Sequence, residues 1–326
     1  MNMGNNFLER YETEHPWAFG AFAELLQNSN DAEASRSDIL YKVRKGADYL
    51  EFSDNGKGMS SAAIQHCFTL GDSRPGRTDD DHISGQFGVG FKQGTLRLGH
   101  TAVVISRSTE EKNISFGLLS NQPFTENRHE PVWAYTTLDL DGNDVSGNIN
   151  REGIMETKKS VIEKIKQVVK NLDDADSFFT LELGKRIGGS VGTTVLIFGL
   201  QERIKQYEEV QKMEVDTATH DIRLTVRIDG DQIRSPFQRE ESNERWQGVD
   251  IPMESSLREY CKILFLRPRM EIWLLEKKVL SICLLNEMKL VQKQGLRAGD
   301  GLDAPIVVRI GRHEWHREKR LCGIFI

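Results

Sequence analysis

The sequence predicts an α+β protein, helices packed on a mixed sheet in a two-layer sandwich, with a smaller α/β domain behind it. Three observations carry that expectation. Strand-type alternation and helix-type spacing are interleaved over the first two hundred residues without a strict strand–helix–strand rhythm. The length, 326 residues, exceeds what one ordinary core holds and suits two domains. A charged stretch at 201–212 reads as the boundary, which divides the chain into 1–205 and 206–326.

The elements follow in order. A helix is expected over 17–34, and alternation then places Ile39, Tyr41 and Val43 on one face of a strand. The next strand covers 49–52, and a glycine-rich stretch runs from 71 to 99. Strands are expected at 101–106, 114–119 and 132–136. Val161, Ile162, Ile165, Val168 and Val169 fall on one side of a helix over 156–171. Strands return at 178–183 and 193–198. Past the boundary come a strand at 222–228, a helix at 255–265 and a strand at 269–275.

Composition narrows the class. Hydrophobic residues at 38% and charged ones at 28% suit a soluble globular chain. No apolar run approaches the roughly 18 residues a membrane helix needs, and the polar start lacks a signal-peptide core, so an intracellular protein is expected. Cys67, Cys261, Cys283 and Cys322 form no C-x-x-C pair; free thiols are expected rather than a zinc site. A net charge of −6 gives no general attraction to nucleic acid, so any DNA contact needs a local basic patch.

Chemistry enters on the first helix. Glu24, Asn28 and Asp31 stand at i, i+4 and i+7 and so fall within about 60° of one another. Phe19, Phe22 and Leu26 lie on the far side. A solvated polar face is the plainer alternative, but the stripe contains no basic residue to pair with. Two carboxylates and an amide in line suit metal–nucleotide chemistry: an amide oxygen can ligate Mg²⁺ and a glutamate can activate water.

The second site is Asp54-Asn55-Gly56-Lys57-Gly58-Met59. Asn-Gly after a strand signals a hairpin first. Here Ser60 reads as an N-cap, and Ile64, Cys67 and Phe68 have helical spacing, so strand–turn–helix is the competing reading. Asp54 at the strand end could accept from an exocyclic amine and so distinguish adenine from guanine. The third site, Gly85-Gln86-Phe87-Gly88-Val89-Gly90-Phe91-Lys92, has the spacing G-x-x-G-x-G. That is neither a dinucleotide fingerprint nor a P-loop. Its glycines would let N–H groups converge on phosphate, with a helix over 92–98 and the charge of Lys92 behind them. A mobile lid is the expectation, with an ordinary surface loop as the plainer alternative. Gly192-Thr193 enters a later strand.

Together these residues resemble the GHKL ATPases, which unite gyrase-type topoisomerases, heat-shock 90 chaperones, sensor histidine kinases, MutL proteins and MORC proteins. E-x-x-x-N-x-x-D-A is matched by Glu24, Asn28, Asp31 and Ala32; D-x-G-x-G by Asp54, Gly56 and Gly58; the lid by Gly85, Gly88 and Gly90; the strand entry by Gly192 and Thr193. The resemblance is strongest to the MORC family. It runs through 15–20 and 90–99 to His220-Asp221-Ile222-Arg223, and continues in 256–261 and 263–270.

The resemblance implies a Bergerat-type ATP site with ATP and Mg²⁺ bound. Glu24 would be the general base and Asn28 the metal ligand. Asp54 would bind the adenine amine with Thr193 assisting. The remaining contacts would come from Asp31, Ala32, Gly58, Met59 and the segment Gly85, Gln86, Phe87, Gly88, Val89, Gly90, Phe91, Lys92. A transducer lysine would reach the γ-phosphate; Lys277 and Lys278 are the candidates, with Lys278 preferred. Slow ATP hydrolysis, ATP-gated homodimerisation, DNA or chromatin as partner and a nuclear location follow as expectations. The alternatives are a nucleotide-held switch with negligible turnover and a MutL-like repair ATPase. Gln27 departs from the family's usual aspartate, and the match is poor between 280 and 320, so the second domain is expected to be truncated or divergent. Arg309, Arg312, Arg317, Lys319 and Arg320 form a candidate phosphate-contacting cluster or a solvated basic tail.

Overall fold

The computed structural model describes residues 18–68, 89–122, 132–145, 156–169, 171–172, 174–187, 189–201, 203–206, 209–228, 232–234, 255–283, 289–296, 306–315 and 319–325. The chain divides into two units, one of Met1–Tyr260 with Arg269–Val279 and one of Cys261–Pro268 with Leu280–Ile326.

In the first unit, helix α1 (Ala18–Asp31) leads into the antiparallel pair β1 (Arg36–Arg44) and β2 (Ala47–Asp54). Helices α2 (Ser61–Phe68) and α3 (Val89–Leu98) precede β3 (Gly99–Arg107), β4 (Ile114–Ser120) and β5 (Val132–Leu138). Helices α4 (Lys158–Val168) and α5 (Ala175–Ile187) return the chain to β6 (Gly192–Leu200), the central strand between β2 and β3. Two late strands, β11 (Glu271–Leu274) and β12 (Lys277–Lys278), complete an eight-stranded sheet in the order β12-β11-β1-β2-β6-β3-β4-β5. All its pairings are antiparallel except that of β11 with β1. The α+β class is therefore as the sequence predicts.

Alternation along β2 shows what covers each face. Phe52 meets Phe22 of α1, with ring centroids 5.5 Å apart. Tyr49, an odd number of residues away and so on the other face, meets Phe178 of α5 at 5.7 Å. To the helix layer that bears the polar stripe, the structure thus adds α4 and α5 on the opposite face. There Val161, Ile162, Ile165 and Val168 join Phe178, Phe179 and Leu183 in the main core, and Thr157 caps α4 by accepting from the Ser160 amide.

One element differs in kind from its expectation. The strand read at 178–183 is the middle of α5. Phe178-Phe179-Thr180-Leu181-Glu182-Leu183 is too short an apolar run for its period to decide. The wider window does decide: Ala175, Phe178, Phe179, Glu182, Leu183 and Arg186 are the buried residues, at helical spacing, whereas Leu181 is exposed. Arg44 fixes the start of the helix, donating from Nε and Nη2 to Asp174 Oδ2 at 2.9 and 2.7 Å and lying over the Phe178 ring.

A second sheet runs β10-β9-β8-β7, formed by β7 (Arg203–Gln206), β8 (Glu209–Asp216), β9 (Asp221–Ile228) and β10 (Gln232–Arg234). The stretch 201–212, where the boundary is expected, contains β7 and the start of β8, and β11 and β12 join the first sheet from beyond it in sequence. Helix α6 (Leu257–Ile263) is tied to β9, since Asp221 accepts from the Ser256 hydroxyl at 2.6 Å and the Arg258 amide at 2.9 Å. The second unit carries β13 (Lys289–Leu296), β14 (Ile306–Trp315) and β15 (Lys319–Phe325) as an antiparallel sheet. Arg309 and Arg312 sit on β14 and Lys319 and Arg320 on β15; Arg317 lies outside the described residues. Among the described residues no helix is long and apolar enough to cross a membrane.

The aromatic cluster under β2 and β6 generates a prediction. Phe178→Ala should lower unfolding free energy by about 3–5 kcal/mol, read as a reduced urea midpoint at unchanged slope.

Candidate functional site

The helical stripe falls as its spacing requires. Phe19, Phe22 and Leu26 are wholly buried, and Glu24, Asn28 and Asp31 are half-buried on the flank. Gln27, the departure in this motif, donates to Asp31 Oδ1 at 2.6 Å and so takes a place in the stripe. Asn28 makes no side-chain hydrogen bond to any described residue, and its amide oxygen keeps its acceptor capacity.

Helix α3 crosses α1 at close range because two glycines one turn apart face it. A Cβ on Gly94 would lie 3.0 Å from the Ala21 carbonyl oxygen and 3.4 Å from Glu24 Cβ; one on Gly90 would collide with the Glu24 carboxylate itself. Glu24 therefore stands against the first turn of α3, at the positive end of that helix. Lys92, in the same turn, is buried beside Cys67, and burial holds its ammonium pKa below the usual range. Burial likewise pushes the Cys67 thiol up to about 11. Phe91 packs edge-on to Phe68 of α2. Gly85, Gln86, Phe87 and Gly88 lie outside the described residues, as does the side chain of Val89.

Asp54 ends β2, and the strand–turn–helix alternative is the one observed. The Ser60 hydroxyl accepts from the Ala63 amide at the head of α2. Asn55 staples the turn to β1, its Oδ1 accepting from the Ser35 and Arg36 amides at 2.9 Å each. Gly56 lies against Ala32, where a Cβ would be 2.6 Å from the Ala32 carbonyl oxygen, and the Lys57 amide donates to that same oxygen at 2.9 Å. Gly58 at φ +72° passes over the Arg107 carbonyl, and Gly192 at φ +126° over the Asp54 carbonyl; neither position admits a side chain.

Around the Asp54 carboxylate, Oδ1 accepts from the Gly56 amide at 2.8 Å and the Thr193 amide at 3.3 Å, and Oδ2 from the Ser29 hydroxyl at 3.3 Å. Burial raises its pKa above the ordinary carboxylate value, opposed by these donors and by the Arg186 charge. Buried Ser106 ties the neighbouring parts together. It accepts from the Met59 amide at 2.7 Å and exchanges a hydrogen bond with the Thr193 hydroxyl at 2.9 Å.

Asp54, Met59, Gly58, Ala32 and Thr193 thus gather at one end of β2 and β6, and Glu24 and Gly90 meet where α1 crosses α3. Lys278 is placed differently. It sits on β12 at the sheet edge, its ammonium paired with Glu271, whose carboxyl it holds below the ordinary range. Ser29, Ser106 and Arg186 were missed by sequence reasoning. Ser29 stands inside the first motif but off its stripe, Ser106 ends an ordinary-looking strand, and Arg186 lies on the helix misread as a strand. Among the described residues no three His, Cys, Asp or Glu side chains form a metal cluster.

The pKa direction generates a prediction. The folded state holds the Asp54 proton more tightly than the unfolded chain, so its carboxylate weighs against folding as pH rises through the folded pKa and not below the unfolded one. Asp54→Asn should raise the melting temperature of the nucleotide-free protein at neutral pH, by a margin that shrinks on acidification. A loss of equal size across the pH range would show that the hydrogen bonds dominate.

Comparison with known proteins gives a consistent picture. Residues 17–148 match the family of histidine kinase-, DNA gyrase B-, and HSP90-like ATPases, a span that includes Glu24, Asn28 and Asp54 and stops before Thr193. The chain is 29% identical over 320 residues to Protein MICRORCHIDIA 4 of Arabidopsis thaliana, covering 94% of this chain and 38% of that one. It is 27% identical over 296 residues to MORC family CW-type zinc finger protein 3 of Mus musculus, covering 89% and 29%. To ATPase morc-1 of Caenorhabditis elegans it is 25% identical over 302 residues, covering 92% and 31%. The chain spans about a third of the length of these relatives.

Proposed function

Because this chain is a relative of the MORC proteins and carries their GHKL-type ATP-binding module, we propose that it hydrolyses ATP slowly with Mg²⁺, dimerises when ATP is bound, and handles DNA or chromatin in the nucleus. The observation that carries the nucleotide reading is the Asp54 carboxylate. Two amides occupy Oδ1, and Oδ2 takes one hydroxyl. A carboxylate oxygen accepts about two donors, so Oδ2 has room for an adenine amine. Guanine would present a carbonyl there and set acceptor against acceptor in a buried site. Thr193 would assist through the hydroxyl that Ser106 orients.

At the phosphate end, the first turn of α3 offers backbone N–H groups and its dipole, continuing the glycine segment Gly85, Gly88 and Gly90. Glu24, set against Gly90, would draw the proton from the attacking water. Asn28 fits a magnesium ligand, since it offers an oxygen with no competing partner among the described residues and lies one turn from Glu24. When bound, Mg²⁺ would neutralise phosphate charge. Asp31 would be held by Gln27. Lys278 reaches a γ-phosphate only if its pair with Glu271 opens; the β11–β12 hairpin would then move on ATP binding. The dimer, the DNA role and the nuclear location rest on resemblance to the MORC proteins.

Glu24→Gln should reduce phosphate release by about 100-fold or more while ATP affinity measured by calorimetry changes little; equal rates would remove Glu24 as the base. With a non-hydrolysable ATP analogue and Mg²⁺, light scattering should report twice the monomer mass, and a monomer at high concentration would contradict gating. DNA binding, measured by anisotropy, should weaken steeply with salt. A salt-independent signal would rule out phosphate contacts by the basic residues of β14 and β15.

A further inference from the structure

Arg186 comes from the far side of the sheet, yet its guanidinium reaches the strand ends that form the Asp54 site. Nη2 donates to the Thr194 hydroxyl at 2.7 Å, the Ser53 hydroxyl at 3.2 Å and the Asp54 carbonyl at 3.4 Å. Nη1 donates to the carbonyls of Ser190 and Val191 at 3.3 and 3.2 Å. One side chain thereby fixes the end of β2, the turn before Gly192 and the start of β6. These are the segments whose spacing sets the 3.3 Å bond from the Thr193 amide to Asp54 Oδ1. Arg107 holds the end of the helix that carries Arg186, donating from Nη1 to the carbonyls of Arg186 at 3.0 Å and Ile187 at 3.4 Å and to that of Gly189 just beyond it at 2.8 Å.

The charge of Arg186 has no use in an ion pair. It is 5% exposed, and among the described residues no carboxylate lies within salt-bridge distance of it. Glu182 is bound by Lys185 and Glu51 by Lys42. A buried guanidinium whose partners are neutral is costly to desolvate. The carboxylate that acts on it most strongly is Asp54, ahead of Glu51 and Glu182. The groups around the Asp54 carboxylate are Ser29 of α1, backed by Ser37 of β1, the Gly56 and Thr193 amides, and Arg186 as the charged one. On α1, Glu24 and Asp31 lie about 140–160° round the helix from Ser29. Asp38 of β1 is occupied by Arg36.

We propose that Arg186 is a positioning residue for base recognition: from the opposite face of the sheet it sets the spacing of Asp54 and Thr193 and supplies the positive charge that keeps Asp54 an acceptor for the adenine amine. This rests on the adenine reading of Asp54. The ionised carboxylate accepts the amine more strongly than the protonated acid does, so ATP affinity falls as pH drops through its pKa. Removing the Arg186 charge moves that fall to higher pH.

The test is calorimetric titration with ATP across a pH series for wild type, Arg186→Gln, Arg186→Lys and Asp54→Asn, with melting curves to establish folding. Arg186→Gln should weaken ATP about tenfold or more at neutral pH and lose affinity at a higher pH than wild type. Arg186→Lys, which keeps the charge without the fork, should lose part of the affinity and keep the wild-type pH profile. A folded Arg186→Gln protein with wild-type affinity and profile overturns the proposal. Asp54→Asn separates the two layers. If it binds ATP as wild type does, the adenine reading fails and the role of Arg186 with it. If it loses ATP while Arg186→Gln does not, only the role of Arg186 fails. Should Arg186→Gln not fold, Thr194→Val removes the shortest bond of the fork and keeps the charge. Weakened ATP binding at an unchanged pH profile then supports the positioning role, and wild-type affinity overturns it.

Discussion

Asp54 stands where charge and burial conflict, and much of the surrounding sequence answers that conflict. A carboxylate withdrawn from water needs donors within a few ångströms. Two of its donors are backbone amides, so the backbone itself must approach. That requirement explains Gly56 beside a residue as small as Ala32, and Gly192 on the Asp54 carbonyl in a conformation closed to other residues. It explains the serine at position 29 on the buried side of an otherwise apolar helix face.

The contact between α1 and α3 obeys a different constraint, which is helix-to-helix distance. Glu24 meets the head of α3 only because Gly90 and Gly94 let two helices approach until backbone touches side chain. Gly90, read from the sequence as a phosphate contact, is thus a packing residue in the structure, where a single Cβ would displace the Glu24 carboxylate.

Much of this was legible in the sequence, for identifiable reasons. The stripe Glu24–Asn28–Asp31 repeats at helical spacing, the turn at Asn55-Gly56 is followed by an N-cap, and Gly192-Thr193 opens a strand, so each carries its signal within a few residues. Arg186 gave no such signal. Its role depends on the end of β2, 132 residues earlier, and its own helix presented a short apolar run whose period was ambiguous. Ser106 was hidden for the same reason, since it bonds Thr193 from 87 positions away. Local pattern revealed what local geometry builds; the contacts that span the sheet became visible only with its strand order. The late strand β11 illustrates the limit further. Its alternation was evident, but its place beside β1 in the first sheet was not.

That parallel pairing has a consequence for how the chain is made. Arg36 waits for Glu271 as its register partner. At about 5–20 residues per second, the intervening segment takes roughly ten to fifty seconds to emerge from a ribosome. Through that interval the outer edge of β1 offers unpaired amides and carbonyls to any extended neighbour, the ordinary seed of aggregation. Until β11 is made, that edge of β1 is an open pairing surface of the first sheet, and β11 closes it with its own amides and carbonyls.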